Sequence, residues 1–206
     1  MQDRKFIVIY DTYCGWCYGA APIFDALVAS GAEVEPLHRH LFQGARAYRM
    51  NAGKGDAVMV ADARIAALTG QTFSQAYIDN IVKSETEVLA SNLTAQAAAL
   101  VHDQGAAKEF AVRHRLETAR YVDGTSAADR DAVIDALIAE GVAPELAQTI
   151  GTPELAERAK ATAQRAAILM DVVGSQGVPT ILEVQGDSLS VVNHSAYYSK
   201  PAAIAA

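Results

Sequence analysis

The sequence has very few cysteines. Only two occur in 206 residues, Cys14 and Cys17. A closed structural zinc site or an iron–sulfur cluster normally takes four ligands, mostly thiolates, so this pair cannot build one alone. The five histidines show a ligand-like spacing only at His38 and His40. The sequence therefore implies neither a metal nor an organic cofactor.

Positive charge is also scarce, because 17 basic side chains accompany 24 acidic ones and the net charge is -7. Binding to a nucleic-acid backbone needs a clustered excess of cations, so nucleic acid is excluded as a partner. The segment from Pro36 to Gly55 is a local exception, with Arg39, Arg46, Arg49 and Lys54 and no acid. It is either a solvated loop or a surface that attracts an anionic thiol such as glutathione, or an acidic peptide.

Long apolar runs are absent near the start of the chain. The longest one there, Phe6 to Tyr10, is far shorter than a signal-peptide core or a membrane span. We therefore expect a cytoplasmic protein with no membrane partner. With 51% hydrophobic and 20% charged residues, the composition is that of a globular chain able to bury its own core.

The first part of the chain predicts a strand–helix–strand unit. Phe6 to Tyr10 is short, apolar and β-branched, which is typical of a buried strand. A helical pattern begins near Cys14 and ends at Gly31, and "EVEPLHRHLF" predicts a second strand. Two such strands joined by a helix pair in parallel through a right-handed crossover.

The remainder predicts a helical block followed by a helix and a hairpin. Residues 57–150 are rich in alanine and predict four or five helices, with Ser126 and Asp129 resembling a helix-start box. Thr152 as N-cap and Pro153 at the first helical position predict a long helix that ends at Gly174. "VPTILEV", "QGD" and "SLSVV" then predict a β-hairpin.

The spacing of the two cysteines permits redox chemistry. Residues three apart in the first turn of a helix can form a disulfide and reopen it with little distortion. Cys14 would lie at the positive end of the helix, where free amides and the macrodipole stabilise a thiolate. Cys17 would be covered one turn further on. We expect Cys14 to attack a disulfide and Cys17 to resolve the mixed disulfide.

Three features together resemble the thioredoxin-fold pattern: C-x-x-C after the first strand, Pro22 five residues beyond Cys17, and "VPT" before the hairpin. The inserted helical block resembles the DsbA-like branch. "CGWCYGAAP", "TARYVDGTSAADRDAVIDALIAEGV" and "HSAYYSKP" are similar to cytosolic DsbA-like proteins described as protein-disulfide isomerases. The resemblance covers nearly the whole chain.

The resemblance implies an α/β thioredoxin fold made of residues 1–55 and 152–206, with an inserted α-helical domain at residues 56–151. It also implies that Cys14 is the nucleophile, Cys17 the resolving thiol and Pro179 a cis-proline that faces them. A cis Val178–Pro179 bond would leave the Val178 backbone free to pair with an extended peptide. Trp16, between the thiols, is either a substrate contact or a space-filling aromatic.

Two departures from the family pattern bear on the redox chemistry. Thioredoxin-like enzymes usually carry a buried acid six residues before the nucleophile, where this chain has Val8 and Asp11 is the nearest carboxylate. Strong oxidants of the family carry a histidine between the cysteines, whereas Gly15 and Trp16 offer no charge. We therefore expect a milder, more reducing couple than the periplasmic oxidase.

The sequence thus predicts a thiol–disulfide oxidoreductase of the protein-disulfide reductase or isomerase type, acting on protein or small-molecule disulfides. Two other functions stay open. One is a glutathione-dependent isomerase or transferase acting on a small molecule, and the other is a non-catalytic binding module on the same scaffold. The natural disulfide, the recycling thiol and the oligomeric state are also open at this point.

Overall fold

A four-stranded sheet forms the centre of the computed structural model, which describes residues 4–51 and 53–206. The strands are β1 (Lys5–Tyr10), β2 (Glu33–His38), β5 (Thr180–Gln185) and β6 (Ser188–Val191), in the spatial order β2-β1-β5-β6. β1 runs parallel to β2 and antiparallel to β5, and β5 and β6 form a hairpin. The predicted strand–helix–strand unit and hairpin are confirmed.

Eight α-helices accompany this sheet among the described residues. They are α1 (Gly15–Ala29), α2 (Lys54–Thr69), α3 (Gln75–Tyr77), α4 (Asn92–Val101), α5 (Ala106–Tyr121), α6 (Arg130–Ala139), α7 (Pro144–Ala147) and α8 (Pro153–Val172). A π-helical turn, Ile78–Val82, continues α3, and short 3-10 helices at His194–Tyr197 and Pro201–Ala205 end the chain. No helix of the described part combines the length and apolarity needed to cross a lipid bilayer.

Both faces of the sheet are covered because successive side chains of β1 point to opposite faces. Phe6 and Val8 pack against α1 in one buried cluster, while Ile7 and Ile9 pack against Ala166 and Met170 of α8 in another, on the opposite face. The first half of α8 serves a different core, in which Leu155 and Ala159 join α4, α5 and α6. The helix α8 therefore links the sheet to the helical block.

The long helix α8 begins as predicted, since the Thr152 hydroxyl accepts a hydrogen bond from the Leu155 amide and Gly174 follows with a positive φ of 69°. The predicted helix start at Ser126 was wrong. Asp129 is the N-cap of α6, and its carboxylate accepts the Ala132 amide. Ser126 instead donates its hydroxyl hydrogen to the buried carboxylate of Glu87. Because Glu87 is distant in sequence, the pattern around Ser126 did not indicate this partner.

The helical block differs in detail from its prediction. It contains four helices of ten or more residues, α2, α4, α5 and α6, and the short helices α3 and α7. A two-stranded antiparallel ribbon, β3 (Tyr48–Arg49) with β4 (Val88–Leu89), was not predicted. Helix α2 already begins at Lys54, two residues before the predicted boundary at residue 56. The division into two domains stays a prediction.

A buried arginine lies beside two carboxyl groups where α5 packs on α1. The Arg113 guanidinium is fully buried against the rings of Phe24 and Phe110, 3.7 Å from Glu117 and 3.0 Å from Asp25. Burial raises the pKa of Glu117 to about 8, because the nearby Arg113 charge offsets only part of the desolvation cost. Glu117 therefore holds a proton in the folded protein at pH values where the unfolded chain has lost it.

Glu117 should make the free energy of unfolding fall as pH rises between about 4.5 and about 8. Unfolding releases the proton within this window, so higher pH favours the unfolded state. Glu117→Gln should flatten the decline, and urea unfolding at pH 5, 6.5 and 8 measures it. The exposed Glu145→Gln on α7 is the matched control and should keep the wild-type slope. Equal slopes for Glu117→Gln and wild type would contradict this account.

Candidate active site

The two cysteines lie at the start of α1, and both are free thiols. Cys14 is the N-cap residue, and its carbonyl oxygen accepts the amides of Cys17 at 2.9 Å and Tyr18 at 3.0 Å. Both residues are buried, but Cys14 keeps 9% of its surface exposed, whereas Cys17 is 0% exposed. The first cysteine is thus the less buried of the two.

The Cys17 thiol is held in a protonated state. Its pKa is raised well above the ordinary range, first by burial and then by its hydrogen bond to Cys14 and the charge there. The Asp11 amide donates to the Cys17 sulfur at 3.4 Å, which opposes this shift only in part. Cys17 is therefore the thiol of the pair that retains its proton.

The loop before the hairpin contacts this pair. The Cys14 sulfur lies 3.7 Å from the carbonyl oxygen of Val178, and the Val178–Pro179 bond is cis. Pro179 is buried and Val178 is half-buried. The fold therefore brings this dipeptide next to the two cysteines, and Trp16 packs against the same cluster, so the five site residues inferred from the sequence lie together.

Trp16 is half-buried next to Cys14. Its ring stacks on Tyr198 at a centroid distance of 6.4 Å, and the Arg64 guanidinium lies 5.8 Å from the ring centroid. The indole thus packs against the C-terminal segment that contains Tyr198. The residue also lines a pocket beside Cys14, so its position is compatible with substrate contact.

Asp11, the carboxylate nearest to the pair in the sequence, is fully buried and engaged in structural bonds. One carboxylate oxygen accepts the Tyr13 amide at 2.9 Å. The other accepts the Leu41 amide and the Ser91 hydroxyl, each at 2.7 Å. This carboxylate fixes the loop that carries the cysteines, and it does so with contacts from three chain segments.

The basic segment after β2 is only partly a solvated loop. His38 is buried, accepts the Thr12 amide at 3.3 Å, and has its pKa lowered by burial to about 4. Arg39 and Arg46 line a cleft of about 310 Å³ together with Val178. We call this the arginine cleft, and its other residues are Leu41, Ala167, Met170, Asp171, Ser175, Gln176 and Gly177.

A second hollow, of about 170 Å³, is lined by Cys14 itself. Tyrosines and apolar side chains form most of its wall, and we call it the aromatic pocket. It is lined by Tyr13, Cys14, Gly15, Trp16, Phe42, Tyr48, Met50, Val58, Ala61, Asp62, Ile65, Tyr77, Leu89, Arg120 and Tyr121. Most of these residues come from α2, the β3–β4 ribbon and the helical block.

Two charged residues of the aromatic pocket were missed by the sequence analysis. Burial raises the pKa of Asp62 to about 6, although Tyr77 donates its hydroxyl to this carboxylate at 3.0 Å. Arg120 is 1% exposed and pairs with Glu87 at 3.2 Å. Neither residue belongs to a local motif. The one sequence feature that could have indicated the site was an acidic residue, Asp62, within the Ala-rich sequence of α2.

Solved structures of similar proteins share this architecture. The cytosolic disulfide reductase DsbM from Pseudomonas aeruginosa is 26% identical, with a TM-score of 0.86 over 98% of this chain and 95% of that one. Its structure with GSH superposes with a TM-score of 0.82 over the same shares. A protein from Nitrosomonas europaea, provisionally named a protein disulfide isomerase, is 18% identical, with a TM-score of 0.75 over 94% and 90%. No family model and no curated protein matches this chain.

The difference in exposure between the two thiols predicts selective alkylation. Iodoacetamide should modify Cys14 of the native reduced protein and leave Cys17 unmodified, because Cys17 is fully buried and burial raises the pKa of its thiol, whereas Cys14 retains some exposure. Peptide mass spectrometry after quenching locates the adduct. Cys14→Ser should leave the native protein unmodified, whereas denaturation should expose Cys17 in both proteins. Equal labelling of both sulfurs in the native state would contradict the assignment.

Proposed function

We propose that this chain, a thiol–disulfide oxidoreductase with the DsbA-like thioredoxin fold, works as a cytoplasmic disulfide reductase that draws its electrons from glutathione. The observation that carries this proposal is the asymmetry of the thiol pair. Cys14 is at the helix start and near the surface, whereas Cys17 is fully buried with a raised pKa. Such a pair provides one attacking and one resolving sulfur.

The reaction then proceeds in balanced steps. The Cys14 thiolate attacks one sulfur of a substrate disulfide, the substrate S–S bond breaks, and the departing thiolate takes up a proton. Cys17 loses its proton and attacks the Cys14 sulfur, which releases the second substrate thiol and leaves a Cys14–Cys17 disulfide. Two glutathione thiols reduce this disulfide and become oxidised glutathione.

The residues beside the pair support substrate binding. The Val178 carbonyl lies next to the Cys14 sulfur, so the main chain here is placed to pair with an extended segment of the substrate. We assign Val178 and Pro179 to this contact and Trp16 to the opposite side of the nucleophile. Neither Gly15 nor Trp16 adds a charge that would favour the thiolate, which supports a reducing rather than a strongly oxidising couple.

The arginine cleft supports glutathione as the electron donor. Glutathione carries two carboxylates and one ammonium group, so its net charge is negative, and the cleft supplies two guanidinium groups against the single carboxylate of Asp171. Among the described residues, neither Arg39 nor Arg46 takes part in an ion pair. The cleft is lined by Val178, whose carbonyl oxygen lies 3.7 Å from the Cys14 sulfur. The likeness to a cytosolic reductase whose structure was solved with GSH points to the same donor.

Replacing the resolving thiol separates this proposal from its rivals. Cys17→Ala should lower the turnover of a glutathione-coupled disulfide assay on the order of 100-fold, because an external thiol replaces an intramolecular one of high effective concentration. The variant should also accumulate a mixed disulfide at Cys14, visible by intact-protein mass spectrometry. Full activity in Cys17→Ala would instead support a glutathione-dependent isomerase or transferase. Absence of thiol turnover in the wild type would support a binding module.

Removing the cleft arginines should weaken glutathione use. Arg39→Gln and Arg46→Gln should each raise the KM for glutathione about 2- to 5-fold, as expected for partly exposed charge pairs. Higher salt should reduce the difference from wild type. Arg49→Gln is the matched control, because Arg49 belongs to the same basic segment but does not line the cleft. Equal effects at all three arginines would point to general charge steering and contradict a specific site.

A further inference from the structure

Two hollows of different chemistry lie near Cys14. The arginine cleft is lined by Val178, whose carbonyl oxygen is 3.7 Å from the Cys14 sulfur, and the aromatic pocket is lined by Cys14 itself. Leu41 lines the cleft and the next residue, Phe42, lines the pocket, so this short segment separates them. A disulfide bound at the Cys14 sulfur can therefore place one arm in each hollow.

The charges of the aromatic pocket do not suit an anionic arm. Its one guanidinium, on Arg120, is already paired with the Glu87 carboxylate at 3.2 Å. Asp62 adds a carboxyl group whose partner is the Tyr77 hydroxyl. The pocket therefore carries no surplus positive charge, in contrast to the arginine cleft. The charge of glutathione is complementary to that of the arginine cleft, whereas the aromatic pocket suits an uncharged group.

The wall of the pocket favours a ring or a bulky aliphatic group. Trp16 and Tyr48 contribute aromatic surfaces, and Val58, Ala61 and Ile65 contribute aliphatic ones. The volume of about 170 Å³ is close to that of an apolar protein cavity of about 150 Å³ that accommodates benzene. One ring fills this space, and its binding removes from water the apolar surface of both the ring and the pocket wall.

Polar groups in the pocket leave room for limited hydrogen bonding. Tyr13, Tyr48 and Tyr121 contribute tyrosine hydroxyl groups to the residues that line the pocket. Small-molecule sites typically combine an apolar wall with a few such groups, which orient the ligand. A tyrosine hydroxyl can accept or donate a hydrogen bond, so these groups suit a neutral polar substituent on the ring.

We propose that the aromatic pocket binds the uncharged aromatic or bulky aliphatic arm of a mixed disulfide whose other arm is glutathione. The proposal rests on the proposed function and names its substrate class. Cys14 attacks the glutathione sulfur, the disulfide bond breaks, and the apolar thiol leaves the pocket after taking a proton from solvent. Cys17 then releases glutathione, and two further glutathione thiols reduce the enzyme, so one apolar thiol is freed per oxidised glutathione formed.

Two thioethers that cannot be reduced test the pocket without turnover. S-benzylglutathione and S-methylglutathione share the glutathione part, and only the first carries a ring. Trp16 is the single tryptophan of the chain and lines the pocket, so its fluorescence reports occupancy. We expect the Kd of S-benzylglutathione to be about 10-fold lower than that of S-methylglutathione, since one buried ring separates them.

Filling the pocket provides the matched comparison. Ala61→Leu places a larger side chain in the pocket and should remove the difference in affinity between the two probes. Ala63→Leu makes the same change on an exposed position of α2 that does not line the pocket, and it should keep the difference. A preference for the benzyl probe that survives Ala61→Leu would overturn the proposal, because the ring would then bind elsewhere.

The outcomes distinguish the pocket from the proposed function. Equal Kd values for the two probes in the wild type, or no measurable binding of either, overturn the pocket assignment even if the enzyme reduces glutathione disulfides. A benzyl preference that Ala61→Leu removes supports the pocket even if glutathione-coupled turnover is absent. In that last case the proposed function fails and the binding site stands.

Discussion

The structure of the site depends on the buried carboxylate of Asp11. Its two oxygens accept hydrogen bonds from the Tyr13 amide, the Leu41 amide and the Ser91 hydroxyl. These donors belong to the cysteine loop, to the segment after β2 and to the start of α4. A buried carboxylate is costly unless its lone pairs are satisfied, so this arrangement is favourable only when all three segments are in place. The position of Cys14 is thus coupled to both the sheet and the helical block.

Local signals predicted the parts of the molecule that local energetics determine. Each of these features depends on residues that are close together in the sequence. They are the Thr152 cap of α8, the strand β1 and the pair Cys14 and Cys17 at the start of α1. Asp129 replaced Ser126 as a cap because Glu87, remote in sequence, binds the Ser126 hydroxyl. The β3–β4 ribbon has two residues per strand, which is too short to give an alternating pattern.

The aromatic pocket could not be predicted, because its residues are distant in sequence and individually ordinary. Asp62 lies in α2, Tyr77 ends α3, and Arg120 is in the last turn of α5. Each of them is most simply interpreted as a helix-face residue until the fold places them together. The family resemblance identified the thiol pair and Pro179, and it carried no information about which substrate groups would lie beside them.

In the proposed function, redox chemistry and substrate choice depend on different parts of the fold. The thiol pair is fixed by β1, α1 and the loop at Val178, whereas the walls of the two hollows come from the basic segment and from α2. Side chains such as Arg39 or Ala61 can change without altering the burial of Cys17, which sets the roles of the two sulfurs. A scaffold of this kind can therefore acquire new disulfide substrates while it retains one mechanism of electron transfer.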